Sequence, residues 1–294
     1  MIKRQLSILC CAGLLISVLG LTGCVRGPHR QLRAKQGVLA LVYADFTKSI
    51  NEQTIDRQKR NVEELFRNLP DDSKFFLFSI DRGTYTPSIY EFAPKFTVIE
   101  KPIDVETVEQ EKAEAKKAKQ TTELAKLQTA LDSYQTSVGN EKGPVSCISN
   151  KLNMLLDLVA SKRASYKDYE IRIYFFSDMI EQCQNAFDGK PITIERSTVN
   201  TEEKIVQDIQ KRIDDNFEAA GPNKNLKLMG TKLYVVLTSQ DDKQDLKTLK
   251  AIWNKFFSKL GLTSDDITWS TGNSEVLWQF DGEPSVQAAA NITN

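Results

Sequence analysis

Residues 38–44 read VLALVYA, and residues 45–49, DFTKS, follow them directly. An uninterrupted apolar run of this length is typical of a β-strand that is buried on both faces, as the strands of parallel sheets are. Three further runs have the same character: FFLFSI at 75–80, IRIYFF at 171–176 and LYVVL at 233–237. Together the four runs predict a mainly parallel sheet.

Segments with apolar residues at helical spacing lie between the predicted strands. They fall at 55–69, 148–159, 205–217 and 246–260, and short edge strands are expected at 89–92, 267–269 and 276–280. This alternation predicts an α/β, Rossmann-like fold with a mainly parallel central sheet and helices on both faces. Ligands of such folds bind beyond the carboxyl ends of the strands.

Residues 105–138 interrupt the alternation. They are rich in Glu, Lys, Ala and Gln, and an a/d repeat runs through Leu124, Leu127, Leu131, Tyr134 and Val138. The pattern predicts a helical insertion, in the form of a short hairpin or a coiled-coil arm. We interpret its charged first half as a solvated face rather than as a binding surface.

The N-terminus predicts export. A basic start precedes a mostly apolar run that Leu21-Thr22-Gly23-Cys24 closes, which is the pattern of a secretory signal. The last four residues resemble the lipobox of bacterial lipoproteins. The resemblance implies a signal peptide at 1–23, lipidation of Cys24 and a tether at 24–36. It places the protein in the bacterial cell envelope, anchored to the membrane by lipid, and Val25 favours the outer membrane or cell surface.

The composition excludes several functions. The chain has 39 basic and 39 acidic residues, and loss of the signal peptide removes only Lys3 and Arg4 from the basic set. The mature chain is therefore nearly neutral, and we expect no nucleic-acid partner. His29 is the only histidine and lies in the tether, which argues against a zinc site or a histidine base. No Gly-rich phosphate loop or Gly-x-Ser-x-Gly motif is present, so we expect no enzyme.

Polar residues cluster directly after two of the predicted strands. Asp45, Thr47 and Ser49 follow the first strand, and Ser177-Asp178-Met179 follows the strand at 171–176. Ser146 adds a further hydroxyl just before the predicted helix at 148–159. Carboxylate and hydroxyl oxygens are hard donors of the kind that Mg2+, Ca2+ and Mn2+ prefer.

These residues resemble the metal-ion-dependent adhesion site of the von Willebrand factor A (vWA) family. That family carries Asp-x-Ser-x-Ser after its first strand, which Asp45, Thr47 and Ser49 match with Thr for the first Ser. Asp178 matches the family's later acid. Ser146 stands for its loop threonine, with Ser149 as a competing choice, and Met179 replaces a usual Gly. The resemblance implies a vWA-like domain over 37–282, before a disordered tail at 283–294.

The resemblance also implies a function. Asp45, Thr47, Ser49, Ser146 and Asp178 would hold Mg2+, or alternatively Ca2+ or Mn2+, and an Asp or Glu of a protein partner would complete the coordination. The expected function is divalent-cation-assisted protein binding at the cell envelope.

Two other interpretations stay open. A structural lipoprotein could keep the fold without the metal, with Ser49 and Glu52 forming only a capping box and Asp45 and Asp178 satisfied by backbone amides. An extracytoplasmic hydrolase is the third interpretation, because phosphatases of the haloacid dehalogenase type keep a nucleophilic Asp after their first strand. That chemistry requires Asp-x-Asp, and Thr47 occupies the position of the second acid.

Only Cys147 and Cys183 remain outside the signal and lipobox. An even pair in an oxidising compartment is a candidate disulfide, and two unpaired buried thiols are the alternative. In the vWA-like arrangement both cysteines would lie at the same end of the sheet, so that a bridge would connect the loops of the metal site.

Overall fold

The computed structural model describes most of the chain from residue 37 to residue 271. The described residues are 37–47, 50, 52–70, 72–81, 87–93, 110, 113–114, 116–139, 146–184, 186, 188–194, 203–220, 228–237 and 243–271. The signal peptide, Cys24, the tether, Ser49, the strand expected at 276–280 and the tail at 283–294 lie outside these residues, so those predictions stay predictions.

A six-stranded sheet forms the centre of the structure, and it confirms the predicted fold class. Its strands are β1 (Gly37–Ala44), β2 (Lys74–Ser79), β3 (Tyr90–Phe92), β4 (Tyr169–Ser177), β7 (Lys232–Leu237) and β8 (Ile267–Thr271). The order across the sheet is β3-β2-β1-β4-β7-β8, and only β3 is antiparallel to its neighbour. A separate two-stranded ribbon pairs β5 (Glu181–Cys183) with β6 (Ile192–Ile194).

In the part of the chain that the structure describes, five α-helices cover the two faces of the sheet. They are α1 (Glu52–Asn68), α2 (Leu124–Gly139), α3 (Ile148–Ser165), α4 (Glu203–Ala220) and α5 (Lys243–Lys259), and a π-helical turn, Lys119–Glu123, precedes α2. The side chains of β1 alternate, so that Leu39, Leu41 and Tyr43 join one core with α3, α4 and α5. Val38, Ala40, Val42 and Ala44 join the other core, with α1 and α2. None of the described helices is long and apolar enough to cross a membrane.

The helix of the predicted insertion packs against the sheet. Leu127 and Leu131 are fully buried, and the other a/d residues of α2 belong to the same core as α1. The described part of this segment is therefore a helix of the main core, and the hairpin or coiled-coil form of the whole insertion stays a prediction. A period of three and four residues marks a helix with one apolar stripe, and that stripe fits a sheet as well as it fits a second helix.

The order of the strands places the topological switch point of the sheet between β1 and β4. From β1 the chain goes first to β2 on one side and later to β4 on the other, so the direction of winding reverses between these two strands. In open α/β sheets ligands bind at such a switch point, beyond the carboxyl ends of the strands. The backbone continues the pairing one step further, because Asp45 N donates to Phe176 O over 2.9 Å.

Candidate functional site

Asp45 is the centre of the polar residues at the switch point. It is fully buried, and its Oδ1 accepts hydrogen bonds from Thr47 N at 3.0 Å and Thr47 Oγ1 at 2.7 Å. Its Oδ2 accepts from Ser146 Oγ at 2.9 Å and Ser177 Oγ at 3.0 Å. Three segments that are distant in sequence therefore converge on one carboxylate. We call Asp45, Thr47, Ser146, Ser177 and Asp178 the strand-end cluster.

The hydroxyl groups around Asp45 are oxygen donors of the kind that bind hard cations. A hydroxyl has one proton and two lone pairs, and Thr47 and Ser146 each direct the proton to Asp45. Their oxygens lie 3.0 Å apart. Adjacent ligands of an octahedral Mg2+ ion, at about 2.0–2.1 Å from the metal, are separated by about 2.8–3.0 Å. The pair is therefore spaced as two neighbouring ligands of such an ion would be.

The donors of the strand-end cluster are all oxygen atoms, and this set fits Mg2+, Mn2+ or Ca2+. The described residues contain no group of three His, Cys, Asp or Glu side chains that could hold a metal ion. A cation at this edge would therefore depend on hydroxyl oxygens together with the carboxylates. Thr47, Ser146 and Asp178 would hold the cation. Asp45 would orient the two hydroxyls by accepting their hydrogen bonds.

Asp178 and Met179 form a tight turn after β4. Asp178 Oδ1 accepts from Ile180 N at 3.0 Å, and Ser177 Oγ accepts from Met179 N at 2.9 Å. Met179 has a φ of 60°, which is a left-handed conformation that favours glycine. Trp253 Nε1 on α5 donates to Met179 O at 3.0 Å, and this hydrogen bond holds the turn to α5.

The structure distinguishes between the two candidate serines before α3. Ser146 contacts Asp45, whereas the hydroxyl of Ser149 donates to Glu181 Oε1 at 2.5 Å. Glu181 Oε2 also accepts from Ile148 N at 2.6 Å, so this carboxylate binds the N-terminus of α3. Ser146 is therefore the residue that joins the strand-end cluster, and Ser149 belongs to the cap of the helix.

Two carboxylates near the switch point have pKa values above their usual range. Burial raises the pKa of Asp45, and hydrogen bonds from Thr47, Ser146 and Ser177 oppose the rise. Burial raises the pKa of Glu181 to about 8, although its bonds to Ser149 and Ile148 again oppose the rise. The negative charge of Asp45 adds to the shift of Glu181. Perturbed carboxylates of this kind are common at functional sites.

Cys147 and Cys183 form a disulfide, which confirms that prediction. Their Cα atoms are 4.8 Å apart, and the bridge links the residue before α3 to the end of β5. Gln182 N also donates to Ser146 O at 3.0 Å. The covalent bond and the backbone hydrogen bond together hold Ser146 in place beside Asp45.

Several residues around the cluster could not be predicted from the sequence. The sequence predicts Ser177 only as the neighbour of Asp178, and it does not place Glu181, Asp81, Lys151 or Tyr134 near the site. Lys151 Nζ, almost fully buried, pairs with Asp81 Oδ1 at 2.8 Å. The Tyr134 hydroxyl donates to Ala44 O and Ile80 O, at the ends of β1 and β2. Asp81 directly follows the apolar run at 75–80, and this position is the sequence signal that could have placed it at the sheet edge.

Comparisons with known proteins add little to this description. No protein-family model matches the chain, and no curated protein matches it. Among solved structures the chain is similar to the crystal structure of the manganese-loaded Plasmodium vivax TRAP protein, with 10% sequence identity and a TM-score of 0.36. The match covers 83% of this chain and 72% of that chain. A similarity at this level does not bear on function.

Proposed function

We propose that this chain is a lipid-anchored protein-binding module of the bacterial cell envelope, with a vWA-like domain that binds its partner through a divalent cation. The observation that carries the proposal is the convergence of three hydroxyls on Asp45 at the switch point. The Thr47 and Ser146 hydroxyls both contact this carboxylate, and their oxygens lie 3.0 Å from each other.

The cation would supply a positive charge that binds a carboxylate of the partner. The chain provides the geometry for it. Asp45 holds the hydroxyls of Thr47 and Ser146 in a fixed orientation, and Asp178 supplies a carboxylate from the neighbouring strand end. Because hard divalent cations prefer carboxylate oxygens, an Asp or Glu of the partner would be the natural additional ligand. Ser49 would be a further ligand under the same proposal.

We expect binding rather than catalysis. A phosphatase of the haloacid dehalogenase type would need a free Asp45 carboxylate and a second acid at position 47. Instead the Thr47 hydroxyl donates to Asp45 Oδ1, and both oxygens of Asp45 accept two hydrogen bonds. In such an enzyme, hydrogen bonds would already occupy both oxygens of the nucleophilic carboxylate before the substrate binds.

A metal-free structural lipoprotein is the second candidate, and the same carboxylate favours it. A carboxylate offers about four lone-pair sites, and Thr47 N together with three hydroxyls fills them in this structure. In that case the strand-end cluster would only connect β1, β4 and the loop before α3.

Thermal unfolding with Mg2+, Mn2+ and Ca2+ distinguishes the two candidates. A cation at a hundred times its Kd stabilises the folded state by about 2.7 kcal/mol. We expect a rise in Tm for the wild type that is lost in Thr47→Val, which removes one hydroxyl at nearly constant volume. Thr129→Val is the matched control, because Thr129 lies on the exposed face of α2. Absence of any shift in the wild type at millimolar metal would favour the structural candidate.

Partner binding requires its own test in the full-length, membrane-bound protein. We expect a partner that is retained in Mg2+ or Mn2+ and released by EDTA, and that Thr47→Val fails to retain. Thr129→Val should behave as the wild type does. A partner retained equally by all three proteins, with or without EDTA, would contradict cation-mediated binding.

A further inference from the structure

A cavity of about 410 Å³ lies between the sheet and α3, apart from the strand-end cluster. Its floor is aromatic, formed by Tyr43 of β1 with Phe76 and Phe78 of β2. Met154 and Leu158 on α3 form the apolar wall. Cavities of about 300–1,000 Å³ with mostly apolar walls and a few polar groups are typical small-molecule sites. The size and lining therefore point to a small ligand.

Lys162 gives this cavity a positive charge. Its Nζ lies 4.0 Å from the centroid of the Phe76 ring. In the part of the chain that the structure describes, the Lys162 side chain has no ion-pair partner, and it is only half-buried. An ammonium held over an aromatic ring is partly desolvated, and it gains from an anion that takes the place of water.

The acidic residues of the cavity lie at its rim. Glu91 and Asp157 are both exposed to solvent. The Ser88 hydroxyl donates to Glu91, which gives that carboxylate a partner of its own. Charges in contact with bulk water are screened more strongly than a half-buried one. The positive charge of Lys162 therefore has the larger effect on a bound ligand, and it favours an anion.

Tyr43 supplies a further polar group. The residue is 1% exposed, its ring stacks on Phe78 and Phe175 at 5.0 Å between centroids, and it lines the cavity. A hydroxyl in such a position can bond a polar substituent of a ligand whose body is apolar.

We propose that the cavity binds a small aromatic anion. The aromatic body of the ligand packs between Phe78 and the Met154 and Leu158 side chains, and its carboxylate pairs with Lys162. Offset ring contacts contribute beyond the apolar area that they bury, and thioether sulfur packs favourably on aromatic rings. The proposal does not depend on a cation at the strand-end cluster.

Calorimetry with 2-naphthoate tests the proposal, and its uncharged analogue 2-naphthamide isolates the role of the charge. The titrations contain EDTA, so that no metal can bind the carboxylate. We expect Lys162→Met to weaken naphthoate binding at least about tenfold, which is the size of a lost charge-assisted hydrogen bond. The affinity for naphthamide should change less than about twofold. Lys167→Met, an exposed lysine beyond α3, is the matched control and should bind as the wild type does.

A second variant tests whether the ligand binds in this cavity. Leu158→Trp adds volume at a half-buried position on the wall, and we expect it to abolish binding of both ligands while Tm stays close to that of the wild type. Thr47→Val should leave naphthoate binding unchanged, which separates this site from the proposed cation site. Three results would overturn the proposal: no naphthoate binding by the wild type, equal losses in Lys162→Met and Lys167→Met, or unchanged binding by a folded Leu158→Trp.

Discussion

Met179 is the residue at which the backbone of the strand-end turn is most constrained. Its φ of 60° is unfavourable for a residue with a Cβ, and its side chain is fully buried. Removal of the side chain therefore has two opposite effects on stability: the backbone strain is relieved, and the buried contacts are lost. Left-handed backbone costs a non-glycine residue roughly 1–2 kcal/mol, whereas truncation of a buried Met costs about 2–5 kcal/mol.

A comparison of Met179→Gly with Met179→Ala separates the two effects. Both variants lose the buried side chain, and we expect both to be less stable than the wild type. Glycine usually destabilises relative to alanine by roughly 0.5–1 kcal/mol, but here glycine should be the more stable of the two, by about 1 kcal/mol. Urea unfolding of both variants measures the difference. A lower stability for Met179→Gly than for Met179→Ala would show that the turn relaxes away from this conformation.

Glu181 makes the stability of the fold depend on pH. Its pKa in the folded protein, about 8, lies above its ordinary value of 4.5, so the folded state binds a proton more tightly than the unfolded state does. The stabilisation is complete below pH 4.5, and it is lost as the pH rises towards 8. We expect the free energy of unfolding of the wild type to fall between pH 5 and pH 8.5.

Glu181→Gln should remove this part of the pH dependence, since an amide does not titrate. Urea unfolding at several pH values in EDTA measures the slope for both proteins. Asp168→Asn, in the turn before β4, is the matched carboxylate-to-amide control. Parallel stability curves for wild type and Glu181→Gln would contradict the prediction.

At the scale of secondary structure, the disulfide and Glu181 both join the β5–β6 ribbon to the start of α3. Cys147 and Cys183 close a loop with a sequence separation of 36 residues. In the chain-entropy model a loop of that length contributes about 3–4 kcal/mol. We expect the Cys147→Ala/Cys183→Ala variant to lose about that much stability in urea unfolding.

Reduction provides the control for this prediction. Dithiothreitol should destabilise the wild type and leave the double alanine variant unchanged. The bridge also holds the segment that carries Ser146, so the reduced wild type should lose any Tm response to divalent cations that the oxidised protein has. Equal stability of the reduced and oxidised wild type would show that the native contacts of the ribbon suffice without the bond.

The sequence could predict the elements whose pattern is local. The run at 38–44 is β1 almost to the residue, because a strand buried on both faces needs apolar residues at every position. The a/d stripe of α2 predicted a helix and the residues it buries, but not the surface that they bury against. The strands β5 and β6 have three residues each, too few to establish an alternation.

The candidate site was predictable to a smaller extent. Asp45, Thr47 and Asp178 follow apolar strands, so their place at the sheet edge follows from the strand ends. The choice between Ser146 and Ser149 depends on the residue at which α3 begins, and helix boundaries are weakly encoded. Glu181 accepts a hydrogen bond from Ile148 N, 33 residues away in the sequence, and a local sequence pattern cannot predict such a contact.

At the scale of the whole molecule, the strand-end cluster and the aromatic cavity lie at different places on the same sheet and differ in chemistry. The strand-end cluster is built from oxygen atoms of β1, β4 and the loop before α3. The aromatic cavity opens along α3, whose residues Met154 to Lys162 lie about 9–21 Å along the axis from Ile148 at 1.5 Å per residue. Both sites use β1 and α3, so a ligand at one site would act on elements that also form the other.

Lipidation of Cys24 is the prediction that gives these sites their location. The lipobox-like Leu21-Thr22-Gly23-Cys24 predicts that the mature chain begins at Cys24 and is held at the membrane by acyl chains, whose burial contributes about 0.8 kcal/mol per CH2 group. We expect Cys24→Ser to move the protein from the membrane fraction to the soluble fraction and to abolish incorporation of an alkyne-labelled fatty acid. Cys11→Ser, inside the signal peptide, is the matched control and should keep both properties. A Cys24→Ser protein that stays in the membrane and still carries the label would place the acyl chain on another residue. In that case the proposal of a partner bound at the envelope surface would need a different anchor.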